Sequence, residues 1–280
     1  MASLLLRANG LSTLLFVFLA SVQIGTQGQA QERGCDAQLY RGGFPAIKSE
    51  QLARETYGLC FSEIAVLYSG VSRTPLWAAE MLTPARITAA KTLTRISSNS
   101  FHDETMLPSQ VRSELSDYKR SGYDRGHMAP NGDMSTRKAQ EESFSLANMI
   151  PQHPCNNEVL WEGIESAVRA IAESEIVYVV TGPAFLGAEL ESLKGRVLVP
   201  THIFKAVYVP SRNAAAAYFA PNDDSQAWEA LSIDELESKV GVDVFPQLDG
   251  AARRRAMILP RPKPHFGCRL QTSEAAGRRQ

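Results

Sequence analysis

The sequence predicts an α+β fold, a single mixed α/β domain built around an antiparallel sheet. Three observations predict it. β-branched runs recur between residues 175 and 220 with connections too short for the crossovers that parallel strands need. Two segments, residues 156–174 and 232–240, carry helical periodicity or helix-end signals. Nothing between about residues 31 and 268 reads as a repeat or a low-complexity linker, and one core can serve a chain of this size.

In chain order, Arg7 precedes the apolar run Leu14-Leu15-Phe16-Val17-Phe18-Leu19-Ala20, and Gly28-Gln29-Ala30 places small residues two apart. That is the pattern of a secretory signal peptide over residues 1–30, cleaved after Ala30. The run is short for an anchor, since a spanning helix needs about 20 apolar residues. The mature chain is therefore expected to be secreted or periplasmic, without stable membrane association. Cys35, Cys60, Cys155 and Cys268 all follow the cleavage point, and four cysteines in an exported chain suggest two disulfides. Of the three connectivities open to them, the spacing allows a local clasp, Cys35–Cys60, with a long tie, Cys155–Cys268. With no C-x-x-C pair, a cysteine-bound metal is the weaker reading.

The early run Phe61-Ser62-Glu63-Ile64-Ala65-Val66-Leu67-Tyr68 reads as a strand. Residues 175–181 read as a central strand, stopped by a turn at Gly182-Pro183. Residues 197–200, 203–210 and 215–220 follow as further strands, and Pro200 and Pro210 close two of them. Ser232-Ile233-Asp234-Glu235 is a capping box, with Leu231 and Leu236 placed as a hydrophobic staple; this helix runs to Val240, ends near Gly241 and reads as structural. Residues 269–280 are a polar tail.

In the helix at 156–174, Leu160, Ile164, Val168 and Ile171 form the buried stripe. At about 100° per residue Asn157 projects almost in line with that stripe, where a polar side chain needs a partner. Asn157, Trp161 and Glu165 fall on one flank at i, i+4 and i+8. On this helix alone, a cap and a solvated glutamate is the simpler reading.

The stretch Tyr123-Asp124-Arg125-Gly126-His127-Met128-Ala129-Pro130 is the densest in chemistry. It supplies an imidazole that titrates near neutrality and a guanidinium for a phosphate charge, the parts a phosphodiester-cleaving site needs. Gly126 lets the backbone turn sharply or approach a ligand closely. The formal net charge of −1 argues against a polycation that coats nucleic acid through bulk charge, though a local basic groove remains compatible with it. The densest basic run, Arg253-Arg254-Arg255, reads more readily as a solvated face than as a phosphate contact.

Asp124-Arg125-Gly126-His127 with Ala129-Pro130 resembles the D-R-G-H signature of the DNA/RNA non-specific endonucleases. Asn148-Met149-Ile150-Pro151-Gln152 resembles the N-x-x-P-Q segment of that family, and Asn157 through Trp161 with Glu165 resembles its N-x-x-x-W-x-x-x-E helix. Later stretches at 181–183, 199–205 and 232–245 also look like family segments. The resemblance covers most of residues 60–248. It implies a ββα-metal finger active site within the α+β domain of residues 31–268. By resemblance His127 ends a strand and is the general base, and Asn157 is the direct protein ligand to Mg²⁺, with Mn²⁺ a candidate substitute. Glu165 would hold one of the metal's waters, Asn148 would support the surrounding hydrogen bonds, and Arg125 would steady the phosphate. Arg95 is the candidate for an upstream phosphate-contacting arginine, on a looser local match, and Asp124 reads as structural.

The implied activity is hydrolysis of DNA and RNA to 5′-phosphorylated fragments with little base reading. Two rival readings are a non-catalytic nucleic-acid-binding protein on the same scaffold and a small-nucleotide phosphodiesterase. His102, His153 and His265 read as surface or structural. His202 opens a strand, with groove lining its minority reading. Trp161 reads as core, and Cys155 as a disulfide anchor for the helix start. The sequence leaves a homodimer open.

Overall fold

The computed structural model describes residues 34–97 and 100–263. The expected leader, the polar tail, His265 and Cys268 lie outside the described residues. Seven antiparallel strands form the main sheet, in the spatial order Glu229–Leu231, Ala214–Pro221, His202–Val209, Val177–Ala184, Thr74–Leu82, Ala65–Ser69 and Thr56–Cys60. The α+β class and the antiparallel sheet expected from the sequence are thus present, and residues 177–184 are its middle strand.

Alternation along these strands sends side chains to two faces. One face packs Val66, Val179, Ile203 and Val207 against Trp161, Ile164 and Val168 of the helical segment 156–172. The other packs Val180, Phe204 and Tyr208 against Ile233, Leu236 and Phe245. The helix Ile233–Val240 has its capping box, Ser232 with Glu235, and ends at Gly241 in the left-handed conformation (φ 68°). Cys35 and Cys60 are disulfide-bonded, with Cα atoms 5.6 Å apart. Cys155 is disulfide-bonded as well.

Two strand expectations need correction. Phe61 to Ile64 form the hairpin connection rather than the start of a strand: the Phe61 N–H donates to the Ile64 carbonyl at 2.9 Å. Glu63 leaves the ladder, and its carboxylate accepts from the Ser135 N–H at 2.8 Å and pairs with Arg86 Nε at 3.3 Å. Gly182-Pro183 does not stop the central strand, which runs on to Ala184. Pairing with Thr74–Leu82 ends at Thr181↔Ala78, so Pro183 has no ladder bond to forfeit on that side. Gly182 is there for space: a Cβ would lie 2.5 Å from the Leu76 carbonyl oxygen and 2.6 Å from Phe204 Cζ.

Candidate active site

Asp124–His127 and Met149–Gln152 pair antiparallel, with Asp124 opposite Gln152 and His127 opposite Met149. A π-helical turn, Asn156–Trp161, and an α-helix, Glu162–Ala172, follow directly. This is the expected ββα finger. Gly126 makes no turn in it. A Cβ there would lie 1.9 Å from Gln152 Oε1, because the Gln152 side chain crosses the strand at that point. Gln152 Nε2 donates to Asn156 Oδ1 at 2.7 Å, which joins the strand to the start of the helix.

Strand and helix meet at a pocket of about 540 Å³. His127, Arg125, Arg95, Asn157 and Glu165 all line it, from three separate stretches of sequence, together with Asp124, Glu158, Glu162 and Arg169. Asn148 does not line the pocket. It is fully buried, donates through Nδ2 to the carbonyls of Ala129 (2.8 Å) and Ser143 (2.9 Å), and accepts from the Ala129 N–H (3.0 Å). It therefore clamps the chain two residues after His127.

The His127 ring sits between Phe101 and Phe144, at centroid distances of 5.7 and 5.2 Å, and its Nε2 is shielded and without a hydrogen-bond partner. Burial lowers the His127 pKa to about 3, and the Arg95 and Arg125 charges push the same way. The imidazole is accordingly neutral across the physiological range, the state a base requires. The Arg125 guanidinium lies over the Phe101 ring, 4.2 Å from its centroid, so an aromatic shelf holds a pocket cation in place.

Asn157 Nδ2 donates to Asp124 Oδ2 at 2.9 Å. That bond fixes which way the amide faces and leaves Oδ1, a hard oxygen donor, for the pocket. Asp124 is thus an orienting partner for Asn157. Its own pKa is raised by burial, with the Asn157 bond pulling against the shift. Burial raises Glu165 to about 7, while Lys205 and Arg169 pull it down. An α-helix would place Asn157 and Glu165 about 80° apart over eight residues. The wider π turn rotates less per residue and closes that angle. Both therefore face the pocket, while Trp161, expected on the same flank, is buried in the core.

The donor set suits a small, hard divalent cation. Asn157 oxygen and the carboxylates of Asp124 and Glu165 are all oxygen donors, and no cluster of three His, Cys, Asp or Glu able to cage an ion occurs among the described residues. Mg²⁺ retains most of its waters and needs few protein ligands, so the residues present fit it.

Several members of the site were not legible in the sequence. Asp133, buried in the turn after His127, pairs with Arg169 Nη1 at 2.9 Å, and Arg169 reaches Glu162 at 3.6 Å and Glu165 at 4.0 Å. The Glu165/Arg169 spacing of i, i+4 was the one available signal for this network. Among the residues weighed at the margin, His202 does not line the pocket: it stacks on Phe219 at 4.8 Å, and its neighbour in alternation, Phe204, packs on the opposite face of the sheet. Arg253 is held by Asp234 and Asp243, each at 3.1 Å, and by Glu237, so it is a structural cation. His102 and His153 make local backbone bonds outside the pocket.

The family model for the DNA/RNA non-specific endonucleases matches residues 38–251. Nuclease C1 of Cunninghamella echinulata var. echinulata is 32% identical over 227 residues, covering 74% of this chain and 87% of that protein. The mitochondrial endonuclease G of Caenorhabditis elegans is 28% identical over 234 residues, covering 76% and 73%. A solved structure of an EndoG/EndoGI complex superposes with a TM-score of 0.59 at 27% identity, over 70% of this chain and 88% of that one. With that match spanning most of the molecule, and with the finger and its pocket in place, this chain is an endonuclease that belongs to the DNA/RNA non-specific endonuclease family.

Proposed function

We propose that this protein is a secreted, Mg²⁺-dependent nuclease that hydrolyses the phosphodiester bonds of both DNA and RNA, with His127 as general base. The observation that carries the reading is the convergence of a neutral imidazole, an oriented amide oxygen and two arginines on one pocket. Asn157 would hold the cation, with Glu165 beside it. When bound, the cation supplies positive charge to the phosphate and to the leaving oxygen.

His127 takes a proton from the water that attacks phosphorus. The new P–O bond forms as the P–O3′ bond breaks, so the phosphate stays on the 5′ oxygen of one fragment, and the 3′ oxygen of the other leaves and takes a proton from solvent to become a hydroxyl. A base so placed contributes about 10² to 10⁴ in rate. Arg95 and Arg125 hold the phosphate's negative charge, and Phe101 keeps Arg125 from swinging away. A grip on phosphate carries no sequence information, which supports activity on DNA and RNA alike. Export is supported by the leader pattern of residues 1–30 and by the Cys35–Cys60 disulfide. No helix among the described residues is long and apolar enough to cross a membrane.

The test is digestion of plasmid DNA and of RNA side by side, with Mg²⁺ and with EDTA. Both substrates should be cut in Mg²⁺ to products with 5′-phosphate ends, and EDTA should stop both. Binding without cleavage in Mg²⁺ and in Mn²⁺ would overturn the proposal.

A further inference from the structure

On the face of the main sheet that packs against the finger helix, the strand His202–Val209 carries a lysine between two aliphatic residues, Ile203 and Val207. Lys205 lies on the strand His202–Val209, opposite Thr181 of the central strand, and its side chain is 1% exposed. A buried ammonium is expensive unless its N–H groups are bonded. Lys205 Nζ donates to Thr181 Oγ1 at 2.7 Å and to the Met128 carbonyl at 3.3 Å, and the Trp161 ring lies 5.9 Å away. Among the described residues no carboxylate pairs with it within 4.0 Å. Its two hydrogen bonds therefore run from the rigid middle of the sheet to the residue that follows His127.

A structural core position would have used an aliphatic side chain at less cost, as Ile203 and Val207 do on either side. We propose that Lys205 is a positioning residue for the cleavage site: through Thr181 and the Met128 carbonyl it fixes where the His127 imidazole stands, and it sets a positive charge behind the carboxylates of the pocket. This rests on the assignment of His127 as base. The charged groups that face this interior are Glu80 on Thr74–Leu82, beyond the central strand, Arg86, Asp133, and Glu165 with Arg169 on the finger helix. Burial raises Glu80 to about 8 and Glu165 to about 7, and Lys205 is among the charges that draw each back.

The experiment compares wild type, Lys205→Met and Thr181→Val, each close in volume to the residue replaced. Plasmid cleavage at saturating Mg²⁺ gives kcat and KM, and ¹H–¹⁵N spectra follow the His127 ring nitrogens. The expected result is a fall in kcat of about tenfold or more, since small misplacements of catalytic groups are costly, with KM within about twofold and the His127 resonances shifted. If Lys205→Met does not fold, Thr181→Val carries the same expectation. Unchanged kcat in a folded variant overturns the proposal. A wild-type protein that cuts no nucleic acid sinks the nuclease reading instead. The His127 spectra then decide this one: a shift in Lys205→Met upholds the tie to Met128, and no shift overturns it.

Discussion

Replacing Asp124 with alanine separates cation binding from folding. In the native protein Asp124 Oδ2 accepts from Asn157 Nδ2 at 2.9 Å, so the amide oxygen is turned to the pocket. A hydrogen bond to a charged acceptor is worth about 1.5–3 kcal/mol. That energy corresponds to a bias of about 10- to 100-fold between the two faces of the amide, and without it the NH₂ group presents itself to a cation as readily as the oxygen. Loss of a residue that orients a metal ligand typically costs 10–100-fold in affinity. The Mg²⁺ concentration for half-maximal cleavage should therefore rise by roughly that factor in Asp124→Ala. Stability should behave differently. Burial raises the Asp124 pKa, which means that the folded state holds its ionised form at a cost. That cost is fully present only above the raised pKa, and the Asn157 bond lost with the carboxyl opposes it, so the thermal midpoint should change little. An Asp124→Ala protein that melts like wild type and titrates Mg²⁺ like wild type would refute the orienting role.

Three further outcomes are expected. His127→Ala should lower cleavage by about 10² to 10⁴, and it should also flatten the acid side of the stability profile. The unfolded chain takes up a proton at this imidazole below about pH 6.5 and the folded one only near 3, so the wild type loses stability as pH falls through that window and the variant does not; melts between pH 3 and 7 check it. In the metal-free protein Glu165 holds a proton up to about pH 7, whereas an unfolded glutamate releases it near 4.5; stability from this group declines as pH rises between those values, and Mg²⁺ binding at pH 6 should expel close to one proton, measured by calorimetry in buffers of different ionisation enthalpy. Gly126→Ala should cost about 1–3 kcal/mol, from the clash of its Cβ with Gln152, and chemical denaturation measures it.

Where the sequence carried a local signal, the structure could be read from it. The helix Ile233–Val240 announced itself by its capping box and terminal glycine, and the central strand by its β-branched run. His127, Arg125, Asn157 and Glu165 share the pocket as expected, and Arg95 joins them on a weaker match. What stayed hidden depended on tertiary burial. The strand Thr74–Leu82 is buried on both faces and includes Pro75 and Glu80, so it shows neither alternation nor an uninterrupted apolar run. Glu80, Arg86, Asp133 and Lys205 are ionisable side chains placed inside the protein, and nothing local distinguishes them from those at the surface. Gly126 read as a sharp turn or a close approach to a ligand because its real neighbour, Gln152, lies 26 positions away in the chain.

The π turn at Asn156–Trp161 bears on how such a site tolerates change in length. What the pocket reads is angle, not residue count. Seven residues of plain α-helix advance by about 700°, which is within about 20° of two full turns, so a helix one residue shorter between Asn157 and Glu165 and without the widened turn would present the same two side chains to the same side. Eight residues wound as plain α-helix would not. The spacing between these two residues in the sequence can thus vary by one while the chemistry stays put, provided that the winding of the backbone changes with it. A deletion within residues 158–161 is in this sense a smaller alteration to the pocket than a set of substitutions that merely straightens the helix.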